Sequence, residues 1–187
     1  MIKKDMKKIH FSHKKIYHLR NKILTAREKK YYKIIEFSRQ TKNIKKNYFT
    51  TIVIHLNIKG FPKNNMNFIE ALKYFIKFLE SYFIPNKILK YDLLFNIDGD
   101  CLLINIDEDP MIVKYFFYNF EKNWRFFDID IYTQKSMISS SLLGLDGKRC
   151  IICKSKYDFC KVNNKHTTRQ VRKKVNFLIK KFNNNFK

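Results

Sequence analysis

The sequence predicts an α+β fold: a mixed or antiparallel sheet, helices packed mainly on one face, and a C-terminal Cys/His loop followed by a helix. Three observations predict it. Runs rich in β-branched and aromatic residues recur at 48–58, 88–95, 101–106 and 126–132. Between and around them, apolar residues repeat at helical intervals. Two of the runs are joined by a turn over Asp98-Gly99-Asp100, the signature of a hairpin and so of antiparallel pairing.

Residues 1–37 form a helical N-terminal segment, in which Ile16, Leu19, Ile23, Leu24, Tyr31, Ile34 and Ile35 mark one or two amphipathic helices. Thr25-Ala26-Arg27-Glu28 fits a cap or helix start within it. His10, His13 and His18 stand among lysines and read as solvated. An α+β core then spans 48–148. Its first strand, Tyr48 to Ile58, contains His55, read as a hydrogen-bonded sheet residue, and leads into a turn from Lys59 to Asn65 with Gly60, Pro62 and Lys63. A helix from Asn67 to Phe83 follows, with Asn67 as the cap. In the hairpin turn, Asp98 and Asp100 are explained by turn chemistry, because the later positions of a calcium loop are apolar here. Pro110 opens a helix to about Lys122, since proline is tolerated in a first helical turn. Phe126 to Tyr132 is an acidic strand, Met137 to Ser141 a short continuation, and Leu142 to Lys148 a loop. The remainder, 149–187, is the Cys/His loop and a helix from Thr167 to Phe182 with Val171, Val175, Leu178, Ile179 and Phe182 inward. One domain over 1–187 accommodates all of it.

The formal net charge is +23, yet only 7 of the 39 basic residues are arginine. Lysine, asparagine, isoleucine and phenylalanine are the types an AT-rich coding sequence enriches, so the charge is a poor guide to partners. No run approaches the roughly 18 apolar residues of a membrane span, and the basic start is not followed by a signal core. Four cysteines, three of them clustered, suit a reducing compartment. The expected location is cytoplasmic.

Chemistry concentrates between Arg125 and His166. In Phe127-Asp128-Ile129-Asp130-Ile131 strand alternation puts Asp128 and Asp130 on one face, where two carboxylates can hold a divalent cation against a polyphosphate; an edge strand with one wet face is the alternative. Arg125 adds a fork suited to phosphate or to an aspartate. Gly60 and Lys63 could meet a phosphate in their turn or simply belong to the surface. Cys150-x2-Cys153-x6-Cys160-x5-His166 has the ligand types of a closed structural zinc site, the alternative being reduced cysteines near a surface histidine.

Taken together, Trp124-Arg125-Phe126-Phe127-Asp128-Ile129-Asp130-Ile131, Ile138-Ser139, Leu145, Arg149-Cys150-Ile151-Ile152-Cys153, Cys160 and His166 resemble the apo-citrate lyase phosphoribosyl-dephospho-CoA transferase family, also called citrate lyase holo-acyl-carrier-protein synthase. Leu24-Thr25-Ala26-Arg27-Glu28 and Asn57-Ile58-Lys59-Gly60 with Lys63-Asn64 resemble its upstream motifs, so the likeness spans nearly the whole chain. The resemblance implies a phosphorus-group, nucleotidyl-type transferase. Its substrate would be triphosphoribosyl-dephospho-CoA, its acceptor a serine of the citrate lyase acyl carrier subunit, and pyrophosphate the released product. On that reading Asp128 and Asp130 hold Mg2+, and Arg125, Arg149, Lys63, Arg27 and Ser139 contact substrate, while the cysteines and His166 hold structural Zn2+. The chain departs from the family pattern at Trp124, where glycine is expected, at Ser140 and Ser141, where arginine is expected, and at Lys148, where the first of two arginines is expected. A zinc-stabilised basic nucleic-acid-binding module and a non-catalytic carrier-binding remnant are the alternatives; few arginines and aromatics at core spacings speak against the first.

Overall fold

The computed structural model describes residues 2–39, 48–60, 63, 66–82 and 87–186, and the side chains of all of these except 2–16 and 66–68. The elements run α1 (Ile2–Arg39), β1 (Thr50–Leu56), α2 (Met66–Tyr82), β2 (Ile88–Leu94), β3 (Cys101–Ile106), α3 (Pro110–Asn123), β4 (Phe127–Tyr132), β5 (Met137–Ile138), a 3-10 turn (Ser140–Leu143), α4 (Tyr157–Val162) and α5 (Thr168–Asn185). The strands form one sheet in the order β2-β3-β1-β4-β5, with every neighbouring pair antiparallel. The α+β class and the 88–106 hairpin are as the sequence predicts.

The sheet buries both faces unequally. Ile52, Ile54, Leu102, Ile104, Ile129 and Ile131 face α2, α3 and α5, whose Leu72, Phe75, Phe117, Ile179 and Phe182 close the main core. Rings at its centre pack at 4.9 Å for Phe75–Phe127 and 5.0 Å for Phe127–Phe182, spacings typical of tilted and edge-on aromatic pairs. On the opposite face a smaller cluster of Val53, Cys101 and Leu103 meets Ile34 and Phe37 of α1, with Leu94 and Tyr132 at its edge. Helices therefore lie mainly on one face, and among the described residues α1 is the helix on the other.

Three local expectations change. Thr25 to Glu28 lies inside α1, which continues without a break. Alanine, arginine and glutamate are good helix formers, so a cap-like string does not interrupt a helix anchored beyond it by buried Lys30, Ile34 and Phe37. A short helix, α4, stands where a plain Cys/His loop was read, and Ser140–Leu143 makes a 3-10 turn. The last helix starts as expected: Thr167 and Gln170 form a reciprocal capping box. The Asn67 side chain, Phe83 and residues 61, 62, 64 and 65 lie outside what is described, as do the side chains of His10 and His13, whereas His18 is exposed.

The turn after β1 docks on the start of α5. Gly60 has φ of 78°, and a Cβ there would come within 2.8 Å of Thr168 Cγ2. Gly60→Ala should therefore cost about 1–3 kcal/mol through backbone strain and this contact, measured as a fall in urea midpoint at unchanged slope. Nearby, the Lys59 ammonium donates to the His166 carbonyl at 3.0 Å.

Candidate active site

β4 alternates as predicted: Phe127, Ile129 and Ile131 enter the main core, while Asp128, Asp130 and Tyr132 point to the α1 side. In the ladder Asp128 lies opposite His55, and Asp130 opposite Val53. β5 pairs only with Ile131 and Tyr132, so the Ile129 amide lies beyond the end of that ladder. α3 supplies its partners. Glu121 accepts the Ile129 N–H at 3.1 Å, and the Lys114 ammonium donates to the Ile129 carbonyl at 3.5 Å. Both side chains are buried. Glu121→Ala should leave that N–H unpaired and destabilise the fold by about 1–3 kcal/mol, read from equilibrium urea unfolding.

Lys148 bridges Glu121, at 3.0 Å, and Asp128. Burial alone would raise the Asp128 pKa, but the charge and hydrogen bond of Lys148 outweigh it, and the carboxyl titrates below its ordinary value. Asp130 goes the other way: burial and the neighbouring Asp128 charge push it up to about 6, against Lys148 and Lys114. Carboxylate oxygens are hard donors of the type that Mg2+ takes.

Between α1 and this face of the sheet lies a cavity of about 320 Å3. Asp128 and Tyr132 form one side, and His55 and Ile58 line it between them and the turn that carries Lys63. At the other end Arg27, Lys30 and Lys63 converge on Asp98. Arg27 donates twice, Nε and Nη2 each at 3.0 Å; Lys63 donates at 2.8 Å and Lys30 at 3.4 Å. Burial would raise the Asp98 pKa, but the hydrogen bonds from Arg27 and Lys63 and the charge of Lys30 hold the carboxyl far below the usual range. His55 is pulled down to about 4 by burial and by Lys30, so its imidazole is neutral at pH 7. It lies in β1, in the sheet as the sequence predicts, and its side chain forms part of the cavity wall.

The other predicted residues lie elsewhere. Arg125 donates through Nε and Nη2 to the Arg149 carbonyl, at 3.1 and 2.9 Å, tying the start of β4 to the Cys/His loop. Arg149 is exposed beside its bridge to Lys156. Ser139 caps the 3-10 turn, accepting from the Leu142 N–H at 3.3 Å, and its hydroxyl lies 2.8 Å from that of Ser141. Arg27, Lys63 and Asp128 share the cavity; Asp130, Arg125, Arg149 and Ser139 do not line it. Sequence reasoning missed Lys30 and the inward turn of Asp98. The available signal for Lys30 was its position one helical turn after Arg27.

The Cys/His prediction closes into a group. The ligand atoms of Cys150, Cys153, Cys160 and His166 all lie within 4.8 Å of one another. A tetrahedral zinc–thiolate site with bonds of about 2.3 Å has ligand separations of about 3.8 Å, so these four fit a metal such as zinc. The Ile152 N–H points at Cys150 Sγ, 3.5 Å away, which suits a thiolate acceptor. α4 carries Cys160, and the turn before α5 carries His166.

Comparison with known protein families decides the relationship: the family model described as apo-citrate lyase phosphoribosyl-dephospho-CoA transferase matches residues 19–182. The chain belongs to this transferase family. No individual curated protein matches it significantly. The matched segment includes the part of α1 that bears Arg27 and Lys30, the acidic strand and all four Cys/His ligands. The family's name specifies a transferase that acts on apo-citrate lyase and handles phosphoribosyl-dephospho-CoA. Among the described residues, no helix is long and apolar enough to cross a membrane.

Proposed function

We propose that the chain transfers the phosphoribosyl-dephospho-CoA group from its triphosphoribosyl precursor to a serine of the citrate lyase acyl carrier subunit, releasing pyrophosphate. The observation that carries this reading is the placement, within a chain matched to the family over 19–182, of Asp128, on the same strand face as Asp130, in the wall of a cavity whose far end is cationic. Pyrophosphate leaves a triphosphate only if the bond between its first and second phosphate units breaks. The carrier serine oxygen therefore bonds to the first phosphorus, the pyrophosphate departs with the electron pair, and the hydroxyl proton is lost to solvent. Such a step needs little covalent chemistry from the protein and much positioning and charge neutralisation.

Asp128 and Asp130 would hold Mg2+, which would neutralise phosphate charge when bound. Lys148 keeps Asp128 ionised, and neutral His55 beside it adds no competing positive charge to the metal face. Arg27 and Lys63 would engage phosphates inside the cavity. Half-buried Arg125 and exposed Arg149, at the junction of β4 with the Cys/His loop, would meet the nucleotide outside it, while Ser139 caps the 3-10 turn. Zn2+ on the Cys150, Cys153, Cys160 and His166 group would be structural, because four protein ligands leave no open position. The test is to incubate the chain with apo carrier subunit, precursor and Mg2+ and weigh the carrier. A mass gain equal to the phosphoribosyl-dephospho-CoA group is expected; carrier binding without a mass gain would reject the catalytic reading.

A further inference from the structure

We propose that Arg27, Lys30 and Lys63 form a seat for the pyrophosphate end of the polyphosphate substrate, and that Asp98 is the positioning residue that holds the three cations together. The inference rests on the transferase reading above and extends it to a residue, Lys30, that neither the sequence motifs nor the family name assigns.

The geometry is that of a built site. Three cationic heads from two separate segments, α1 and the turn after β1, meet one carboxylate contributed by the β2–β3 turn. Asp98 lies behind them, with 5% of its side chain exposed, while 57% of Arg27 and 23% of Lys63 remain accessible and both line the cavity. A buried carboxylate in that place cannot be the ligand for a metal: three cations already surround it. It acts instead as an anchor that fixes where the positive charge points. Asp100 also lines this end, and setting Asp98 and Asp100 against the three cations (3 − 2) still leaves one positive charge there. The opposite end has Asp128. The cavity is therefore polar along its length, with the cations at one end and the Asp128 carboxylate at the other.

That polarity orients a triphosphate. Negative charge grows on the leaving pyrophosphate as the bond breaks, and fixed cations stabilise it there most. The second and third phosphates then rest on Arg27, Lys30 and Lys63, and the first lies near His55 and Asp128, open to the incoming alcohol. Size agrees. A cavity of about 320 Å3 is at the lower bound of small-molecule sites, roughly 300 Å3, so it takes the polyphosphate and leaves the nucleotide outside.

The experiment is calorimetric titration of the full chain, in Mg2+, with inorganic pyrophosphate and with tripolyphosphate. Both polyphosphates are expected to bind. Lys30→Met should weaken them by roughly 10–100-fold, the loss of one charge-assisted contact. Lys30→Arg should retain most of the affinity, and Lys180→Met, on the exposed side of α5, should change nothing. Absence of polyphosphate binding by the wild-type chain, or wild-type affinity in a folded Lys30→Met, would each overturn the proposal. The two readings fail separately. Polyphosphate binding that depends on Lys30 without carrier loading sinks the transferase reading alone; carrier loading that is indifferent to Lys30→Met sinks the seat alone.

Discussion

Asp128→Asn is expected to slow carrier loading by roughly 100-fold or more while the protein remains folded. Two arguments set the size. Charge stabilisation by a metal contributes several kcal/mol to a transition state, and each 1.36 kcal/mol is a factor of ten in rate. Asparagine keeps the shape of the side chain but cannot supply the anionic oxygen, leaving Asp130 alone on that face. The fold should survive because Lys148 keeps its contact with Glu121, and Asp128 itself is partly exposed. Single-turnover loading followed by carrier mass, with circular dichroism on the same sample, measures both. A folded variant that loads the carrier at the wild-type rate would remove the metal from Asp128. Asp130→Asn should behave similarly, and the double variant should cost little more than either, as expected for residues that act as a unit.

Loss of the Cys/His group is expected to have the largest effect on stability. The purified chain should contain one zinc per molecule, and a strong chelator or Cys160→Ser should lower the melting temperature by roughly 10 °C, the shift produced by about 3–5 kcal/mol in a chain of this size. Little else holds the segment from Arg149 to His166. Of its side chains only Cys150 and Cys160 are buried, with Ile151 packed at the edge of the main core. Its attachments are backbone hydrogen bonds and two long-range ties: Arg125 to the Arg149 carbonyl, and Lys59 to the His166 carbonyl. The second tie reaches the turn that carries Lys63, so chelation should also weaken tripolyphosphate binding. Full metal removal with unchanged melting would reject a structural role.

Much of the site's wall was readable because its signal is local. The alternation of Asp128 and Asp130 with Phe127, Ile129 and Ile131 follows from a two-residue repeat, and a strand with such a pattern can bury only one of its sides. The spacing of Cys150, Cys153, Cys160 and His166 likewise carries its own geometry. Local strings misled where packing outweighed them. Thr25 to Glu28 has the composition of a helix start, yet Arg27 and Lys30 must share one helical face to reach Asp98, and the Ala26 carbonyl accepts from Asn96 across 70 positions. Arg125 has the form of a carboxylate or phosphate clamp, but in the fold its Nε and Nη2 both donate to the Arg149 carbonyl.

By itself the sequence determined the α+β class, the hairpin, the acidic strand, the metal-type ligand set and the family, since each rests on periodicity or on residue types at short spacing. Only the tertiary structure decided which of the many cations matter. Arg27 and Lys63 are separated from Asp98 by 71 and 35 positions, and Lys30 looks like any surface lysine in a chain with 32 of them. What selects these three is the burial of one carboxylate under α1, because a buried charge is stable only where opposite charges and hydrogen bonds converge on it. That convergence exists only after helix, turn and hairpin have packed on one face of the sheet.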